Sequence, residues 1–205
     1  MEDKVLSIIK EKQERGLEIS LDLGCRDGKK NPDSIGIDLV EFDGVDLVGD
    51  AFEILQLFPK ESVDKIYASH FIEHIDDIAR ILSIFEKCLK AEGEICLIAP
   101  HFSNPYFYSD PTHKNFFGLY TFCYYIKSNI FSRKVPLYKN QFSLELITVN
   151  LIFKSPKPFY IRYVIKKFLG FIFNLNSFFR ELHEEWFCYL LPCYEIEYII
   201  KKHEK

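Results

Sequence analysis

The sequence predicts an α/β protein with a doubly wound sheet, and three observations carry that prediction. The short runs "ISLDL", "KIYA" and "ICLIA" are apolar at successive positions, as strands buried on both faces must be. Between the last two, Ile78, Ile81, Leu82, Phe85 and Leu89 recur at helical spacing. Strands alternating with helices build a doubly wound sheet.

Taken in order, residues 2–15 read as a helix with Val5, Leu6, Ile8 and Ile9 on one face and Gly16 as its stop. "EISLDL" is the first strand, "SIGIDL" the second and "VDLV" at 45–48 the third. "AFEILQLF" is a brief helix ended by Pro59, and "VDKIYA" at 63–68 is the fourth strand. Asp76 is placed to cap the next helix, Gly93 to end it, and "EICLIA" at 94–99 is the fifth strand. Beyond residue 100 the chain is rich in Phe and Tyr. "FSLELITVNLIFK" at 142–154 predicts a long strand, 159–180 an apolar helical stretch, and "EIEYIIKK" a last strand. Without repeats or a linker, residues 1–205 read as one domain, with 101–190 as an aromatic and basic cap on the substrate side.

A chain of 205 residues with 48% hydrophobic and 27% charged residues is long and apolar enough for a real core. The net charge of −4 conceals an asymmetry. Residues 111–180 hold eleven Lys or Arg and one acid, Glu145, so this stretch carries +10 and the remainder −14. Such a split suits a phosphate or an anionic membrane surface, and also a plain solvated basic face. The six cysteines show no CxxC and no metal spacing, and Met1 opens a charged amphipathic stretch rather than a signal peptide. A reducing, cytoplasmic location with free thiols is expected. The run "FLGFIFNLNSFF" has 12 residues, short of the roughly 20 a crossing helix needs.

Ligands of a doubly wound sheet sit at the carboxyl ends of its strands. Asp22 and Gly24 fall at the end of the first strand, Asp38 at the second, Asp50 with Ala51 after the third, and Ser69 with His70 after the fourth. Gly24 lets the backbone approach a ligand. Asp38 can accept from two ribose hydroxyls, and Asp50 from an adenine amine with Ala51 leaving room beside the ring. "GCRDG" is not GxGxxG, since Arg26 stands where a second glycine belongs, and GxxxxGK[ST] is absent. Two acids with little positive charge suit a cationic nucleoside better than a pyrophosphate. Only residues 25–34 are free to join two strands that normally need a crossover of a dozen or more, so this connection must be a turn or one helical turn.

The pieces "LDLGCRDG", "IGIDL", "VDLVGDAF", "VDKIYASHFIEHIDD" and "KAEGEICLIAPHF", in this order, resemble a class I S-adenosylmethionine-dependent methyltransferase over residues 18–125. "SHFIEHI" and "DPTHK" narrow the resemblance to a small subgroup with a shortened first crossover, often met beside surface-glycan genes. The resemblance implies a Rossmann-like sheet of seven strands, mostly parallel, the last antiparallel. It implies S-adenosyl-L-methionine as cofactor, with Asp22, Gly24 and Cys25 on its methionine part, Asp38 on the ribose, Asp50 and Ala51 on the adenine, and Ser69 with His70 on the methyl side. Arg26 departs from the glycine loops of the family and, with Lys29, offers donors in place of the missing helix.

A hydroxyl acceptor benefits from a general base placed after the fourth or fifth strand. His101, Asp110 and His113 qualify, and His113 is assigned as base with Asp110 orienting it or holding substrate. The competing reading makes Asp110 a helix cap near Pro111 and leaves His113 to pack. Irregular spacing argues against a metal. Glu73 and His74 read as helix-start structure, and Glu184 resembles a position the subgroup fills with Glu, which either closes over the site or serves on the surface. The expected activity is methylation of an oxygen on a sugar, phosphate or lipid-linked saccharide. Residues 154–180, where Lys154, Lys157, Arg162, Lys166 and Lys167 stand among Phe and Ile, read first as a cap packed on the sheet, with peripheral membrane contact as the alternative. The rivals are an RNA methyltransferase, for which no nucleic-acid signature stands out, a non-catalytic cofactor-binding module, and an oxidoreductase disfavoured by the missing GxGxxG.

Overall fold

Apolar runs that must be covered on both faces need neighbours on both edges, and the computed structural model, which describes residues 1–138, 142–155 and 158–203, supplies them. Strands β1 (Ser20–Leu23), β4 (Val63–Ser69) and β5 (Leu89–Pro100) lie at the centre of the sheet. Strands β2 (Ile35–Asp38) and β3 (Leu47–Val48) extend it on one side. On the other side follow β8 (Glu195–Lys202), β7 (Leu144–Ile152) and β6 (Lys127–Ser128). The order is β3-β2-β1-β4-β5-β8-β7-β6. The strands β1 to β5 pair in parallel, and β8 runs antiparallel to both β5 and β7. The eighth strand, beyond the seven expected, is β6; its two residues are too short to leave a period in the sequence.

The order reverses between β1 and β4, which opens a crevice beyond their carboxyl ends. Asp22 is in register with Tyr67 and Leu23 with Ala68, so Gly24 and Ser69 lie level at one edge of the sheet. No helix joins β1 to β2. The connection is two turns, closed by Gly28 N–H to the Cys25 carbonyl at 3.0 Å and Ser34 N–H to the Asn31 carbonyl at 2.9 Å. Charge holds it down where a helix would have packed: Asp22 Oδ2 accepts from Lys30 N at 2.5 Å, and Lys29 Nζ lies 2.7 Å from Asp46 Oδ2.

Helix α1 (Glu2–Glu14) buries Val5 and Ile9 but leaves Leu6 exposed. Helix α2 (Ala51–Gln56) and helix α3 (Ile78–Cys88) pack on one another. The cap of α3 is Asp77, whose Oδ1 accepts from Arg80 N at 2.9 Å; Asp76, one residue earlier, instead pairs with Lys114. Nor does Gly93 end that helix. The chain passes straight from Cys88 into β5, and Gly93 lies within the strand, where a Cβ would meet the Lys90 carbonyl at 2.9 Å. Between Val63↔Leu89 and Lys65↔Glu94 the register shifts, and Gly93 is the residue that fits the irregularity.

Antiparallel neighbours can be joined by a two-residue turn. Residues 153–194 are instead inserted between β7 and β8. The single helical stretch expected at 159–180 is two helices, α4 (Tyr160–Phe173) and α5 (Ser177–Leu182). Asn174 breaks them: its side-chain amide donates to the Leu151 carbonyl at 2.7 Å and its Oδ1 accepts from Leu151 N at 2.8 Å, as a neighbouring strand would. Asn176 then caps α5. Lys157 lies outside the described residues.

Candidate functional site

The crevice holds two adjoining lobes that share Gly24, Arg26, His70 and His74. The first, about 410 Å³, is lined by Asp22, Cys25, Ser69, Glu73, Asp110 and His113 beside the shared residues. The second, about 530 Å³, is lined by Asp38, Asp50 and Ala51 among others. All ten residues assigned from the sequence to cofactor or catalysis therefore line one continuous cleft.

Local chemistry fixes each of them. Gly24 adopts φ +67°, which lets the chain turn sharply off β1. Arg26 adopts φ +49° without that freedom, and its N–H donates to Asp38 Oδ2 at 2.9 Å. The other oxygen of Asp38 accepts from Val40 N at 3.0 Å. Asp50 caps α2, its Oδ1 accepting from Phe52 N at 2.8 Å and Glu53 N at 3.2 Å. A carboxylate has about four acceptor positions, so both aspartates keep capacity for a ligand. Burial raises the Asp22 carboxyl, against the opposing Lys30 hydrogen bond and the charges of Lys29 and Lys30. Burial, with Asp22 and Asp38 nearby, pushes the Cys25 thiol up to about 11, so it is neutral and no nucleophile. Of the two donors suggested for the missing helix, Lys29 is committed to Asp46 and the Ser34 carbonyl, whereas Arg26 lines both lobes. Lys30, missed in the sequence, lines the first lobe with its Nζ over the Tyr67 ring.

His70 leaves β4 at φ +53°, and its ring sits between two acids. Nε2 is 3.1 Å from Glu195 Oε1, and Nδ1 is 3.3 Å from Glu73 Oε1. Glu195, then Glu73, lift its pKa to about 9 against burial, so it is an imidazolium at neutral pH. Glu195 is buried, yet His70 and Lys154 outweigh that burial and hold its carboxyl below the ordinary range. Glu73 is fully buried, and among the described residues its carboxylate oxygens make no well-formed hydrogen bond, the facing groups being His70 Nδ1 at 3.3 Å and His113 Nε2 at 4.0 Å. Glu73 and His74 stand in the one-turn 3-10 helix Ile72–His74 and from there also wall the cleft.

Asp110 and His113 enter from the loop after β5. Asp110 Oδ1 accepts from Thr112 N and Oγ1, at 2.8 and 2.6 Å, and these bonds hold its carboxyl below the usual range. His113 Nδ1 donates to the Phe107 carbonyl at 2.9 Å. Its Nε2 faces the cleft, 3.7 Å from Asp110 Oδ2 and 4.0 Å from Glu73 Oε1. Glu73, His74 and His113 each offer an atom within 4.8 Å of the others, a spacing that a divalent ion could bridge. His101, the third candidate base, is elsewhere: fully buried, it contacts Ser103 Oγ at 2.7 Å and Glu184 Oε2 at 3.3 Å and lines neither lobe. Glu184 does not close over the cleft; the same oxygen accepts from Leu119 N at 2.7 Å and holds that loop.

Residues 29–97 match the family model described as a methyltransferase domain. Among solved structures, a putative methyltransferase from Bacillus halodurans superposes with a TM-score of 0.52 at 15% identity, covering 97% of this chain and 100% of that one. A SAM-dependent methyltransferase from Archaeoglobus fulgidus gives 0.50 at 21%, covering 97% and 94%. The Haemonchus contortus phosphoethanolamine N-methyltransferase 2, in complex with phosphomonomethylethanolamine and S-adenosylhomocysteine, gives 0.51 at 13%, covering 99% of this chain and 53% of that one. The search of curated proteins found no match. No helix among the described residues is long and apolar enough to cross a membrane. Residues 29–97, about a third of the chain, thus match a methyltransferase-domain model, and the fold is shared with structures described as SAM-dependent methyltransferases.

Proposed function

We propose that the chain transfers a methyl group from S-adenosylmethionine to an oxygen of a sugar, phosphate or lipid-linked saccharide. The observation that carries the acceptor chemistry is His113: with Nδ1–H given to the Phe107 carbonyl, the Nε2 lone pair faces the lobe lined by Ser69 and His70. That is the tautomer a general base needs. S-adenosylmethionine supplies a methyl group on a positively charged sulfur. As the acceptor oxygen bonds that carbon, the carbon–sulfur pair departs with sulfur, and the hydroxyl proton passes to His113 Nε2. Asp110, 3.7 Å from that nitrogen, stabilises the imidazolium.

The same reading gives the second lobe to adenosine, with Asp38 on the ribose hydroxyls and Asp50 with Ala51 on the adenine. Asp22, Gly24 and Cys25 take the methionine part, and Ser69 with His70 the methyl side. A cationic ligand fits because Asp22, Asp38, Asp50, Glu73, Asp76 and Asp110 line the two lobes against Arg26, Lys30, Lys114 and the His70 imidazolium. The chain is taken as one methyltransferase unit in which the parts of 101–190 outside the sheet cover the substrate. It is placed in the cytoplasm, in peripheral contact with a membrane through 154–180.

Calorimetry with S-adenosylmethionine tests the cofactor assignment. Tight binding is expected, weakened at least tenfold by Asp38→Ala; absence of heat sinks the reading. Mass spectrometry of cell extracts incubated with the protein and labelled cofactor tests the activity through gains of one methyl group. Labelled RNA would favour the nucleic-acid rival, and cofactor binding without any labelled product the non-catalytic module.

A further inference from the structure

The insertion between β7 and β8 shows more apolar surface than a water-facing helix pair should. Of the residues of α4 only Phe173 is buried. Ile161 is 80% exposed, and Val164, Ile165, Phe168 and Phe171 stand in solvent with it. The surface continues through Phe178, Trp186, Tyr189 and Leu190. The cations on α4, Arg162, Lys166 and Lys167, have no acidic partner among the described residues, and α4 itself carries no acid. At its root lies a cavity of about 290 Å³, where Lys154, Arg162 and Lys166 meet Phe153, Leu169 and Leu190. Burial holds the Lys166 ammonium below the ordinary lysine range, a deficit that an anion would relieve.

We propose that this insertion is a monotopic docking surface for an anionic phospholipid bilayer, with its basic cavity taking one lipid phosphate. Charge decides between occupants. A second copy facing α4 would bring like charges together. An RNA strand could stack on the aromatics but would leave Ile161, Val164 and Ile165 wet. An anionic bilayer meets both features, with headgroups against Arg162, Lys166 and Lys167 and acyl chains against the aliphatic positions. This deepens the lipid-linked branch of the proposed function, because the docking surface is wired to the cleft. The inserted chain returns into β8 at Glu195, whose carboxylate contacts Lys154 at 2.5 Å and His70 at 3.1 Å. Exposed Tyr106, which lines the basic cavity, and exposed Tyr108 and Phe116 carry the aromatic surface on towards His113.

Vesicle flotation of the full chain tests the docking without any need for turnover. Phosphatidylcholine vesicles containing phosphatidylglycerol are expected to carry the protein, pure phosphatidylcholine to carry at least tenfold less, and added salt to weaken the binding. Phe168→Glu and Ile161→Glu, at exposed positions, should each lower partitioning roughly tenfold or more, and Lys167→Ala about fivefold. Calorimetric binding of S-adenosylmethionine should be unchanged in all three variants, which separates failure here from failure of the methyltransferase reading. Equal binding to both vesicles, no binding to either, or partitioning untouched by Phe168→Glu would overturn the proposal. So would a dimer in light scattering that Phe168→Glu dissolves, which would make a second copy the occupant.

Discussion

His70 Nε2 and Glu195 Oε1 meet at 3.1 Å across 125 residues of chain. One comes from the exit of β4 and the other from the first position of β8, so the contact closes the sheet at the edge where the cleft lies. The lifted His70 pKa has a definite sign. A histidine raised from about 6.5 to about 9 by its folded partners stabilises the fold fully below the lower value. That contribution fades as pH rises through about 9. The thermal midpoint should therefore fall between pH 7 and 10, and His70→Ala should flatten that fall. A slope unchanged in His70→Ala, read by scanning fluorimetry, would refute the ion pair.

Arg26 holds a left-handed backbone that a side chain makes costly by about 1 kcal/mol. Its bond to Asp38 uses the main-chain N–H, which glycine retains. Arg26→Gly should therefore leave denaturant stability unchanged or raise it by up to about 1 kcal/mol, whereas Arg26→Val should lower it by at least about 1 kcal/mol. If Arg26→Gly proves the less stable of the two, the side chain matters more than the backbone. Cofactor affinity measured in the same proteins will report whether the guanidinium also serves the ligand.

His113 as a base makes a claim about metals. With its Nε2 free to take a proton, His113→Ala should lower kcat by about 10²–10⁴ while S-adenosylmethionine binding persists. Dialysis against a chelator should leave turnover unaltered. Turnover lost on chelation and restored by a divalent ion would instead assign that nitrogen, with Glu73 and His74, to a metal.

The centre of the sheet could be read from the sequence because burial on both faces leaves its mark at every position, as in Leu21, Ile66 and Leu97. The cleft could be read too, since a doubly wound order puts Asp22, Asp38, Asp50 and His70 at one edge whatever the loops do. Glu195 was legible in principle: an antiparallel β8 begins where β5 ends, and Glu195 is in register with Pro100. The roles of Glu73, His101 and Glu184 were not, because each depends on which way a short turn points its side chain. Residues 159–180 were legible as helix but not as exposed, because an exposed apolar helix carries the same pattern as a buried one.

The shortened crossover makes the last prediction, at Gly36 in the middle of β2. A Cβ placed there would lie 2.8 Å from Cys25 Sγ and 3.0 Å from the Gly44 carbonyl. The backbone here is ordinary strand, so space alone sets the requirement. The Gly36 N–H is also tied to Asp46 Oδ2 at 2.7 Å, the oxygen that Lys29 grips, so β2 cannot move aside without loosening the loop. Gly36→Ala should cost about 1–3 kcal/mol by overpacking. Because the displaced atom belongs to Cys25, which lines the cleft, cofactor affinity should fall with it. The double variant Gly36→Ala with Cys25→Ala removes the sulfur contact and should recover part of the stability loss. A stability for the double variant equal to the sum of the single changes would show that the two residues do not press on one another, and that the loop packs differently from this arrangement.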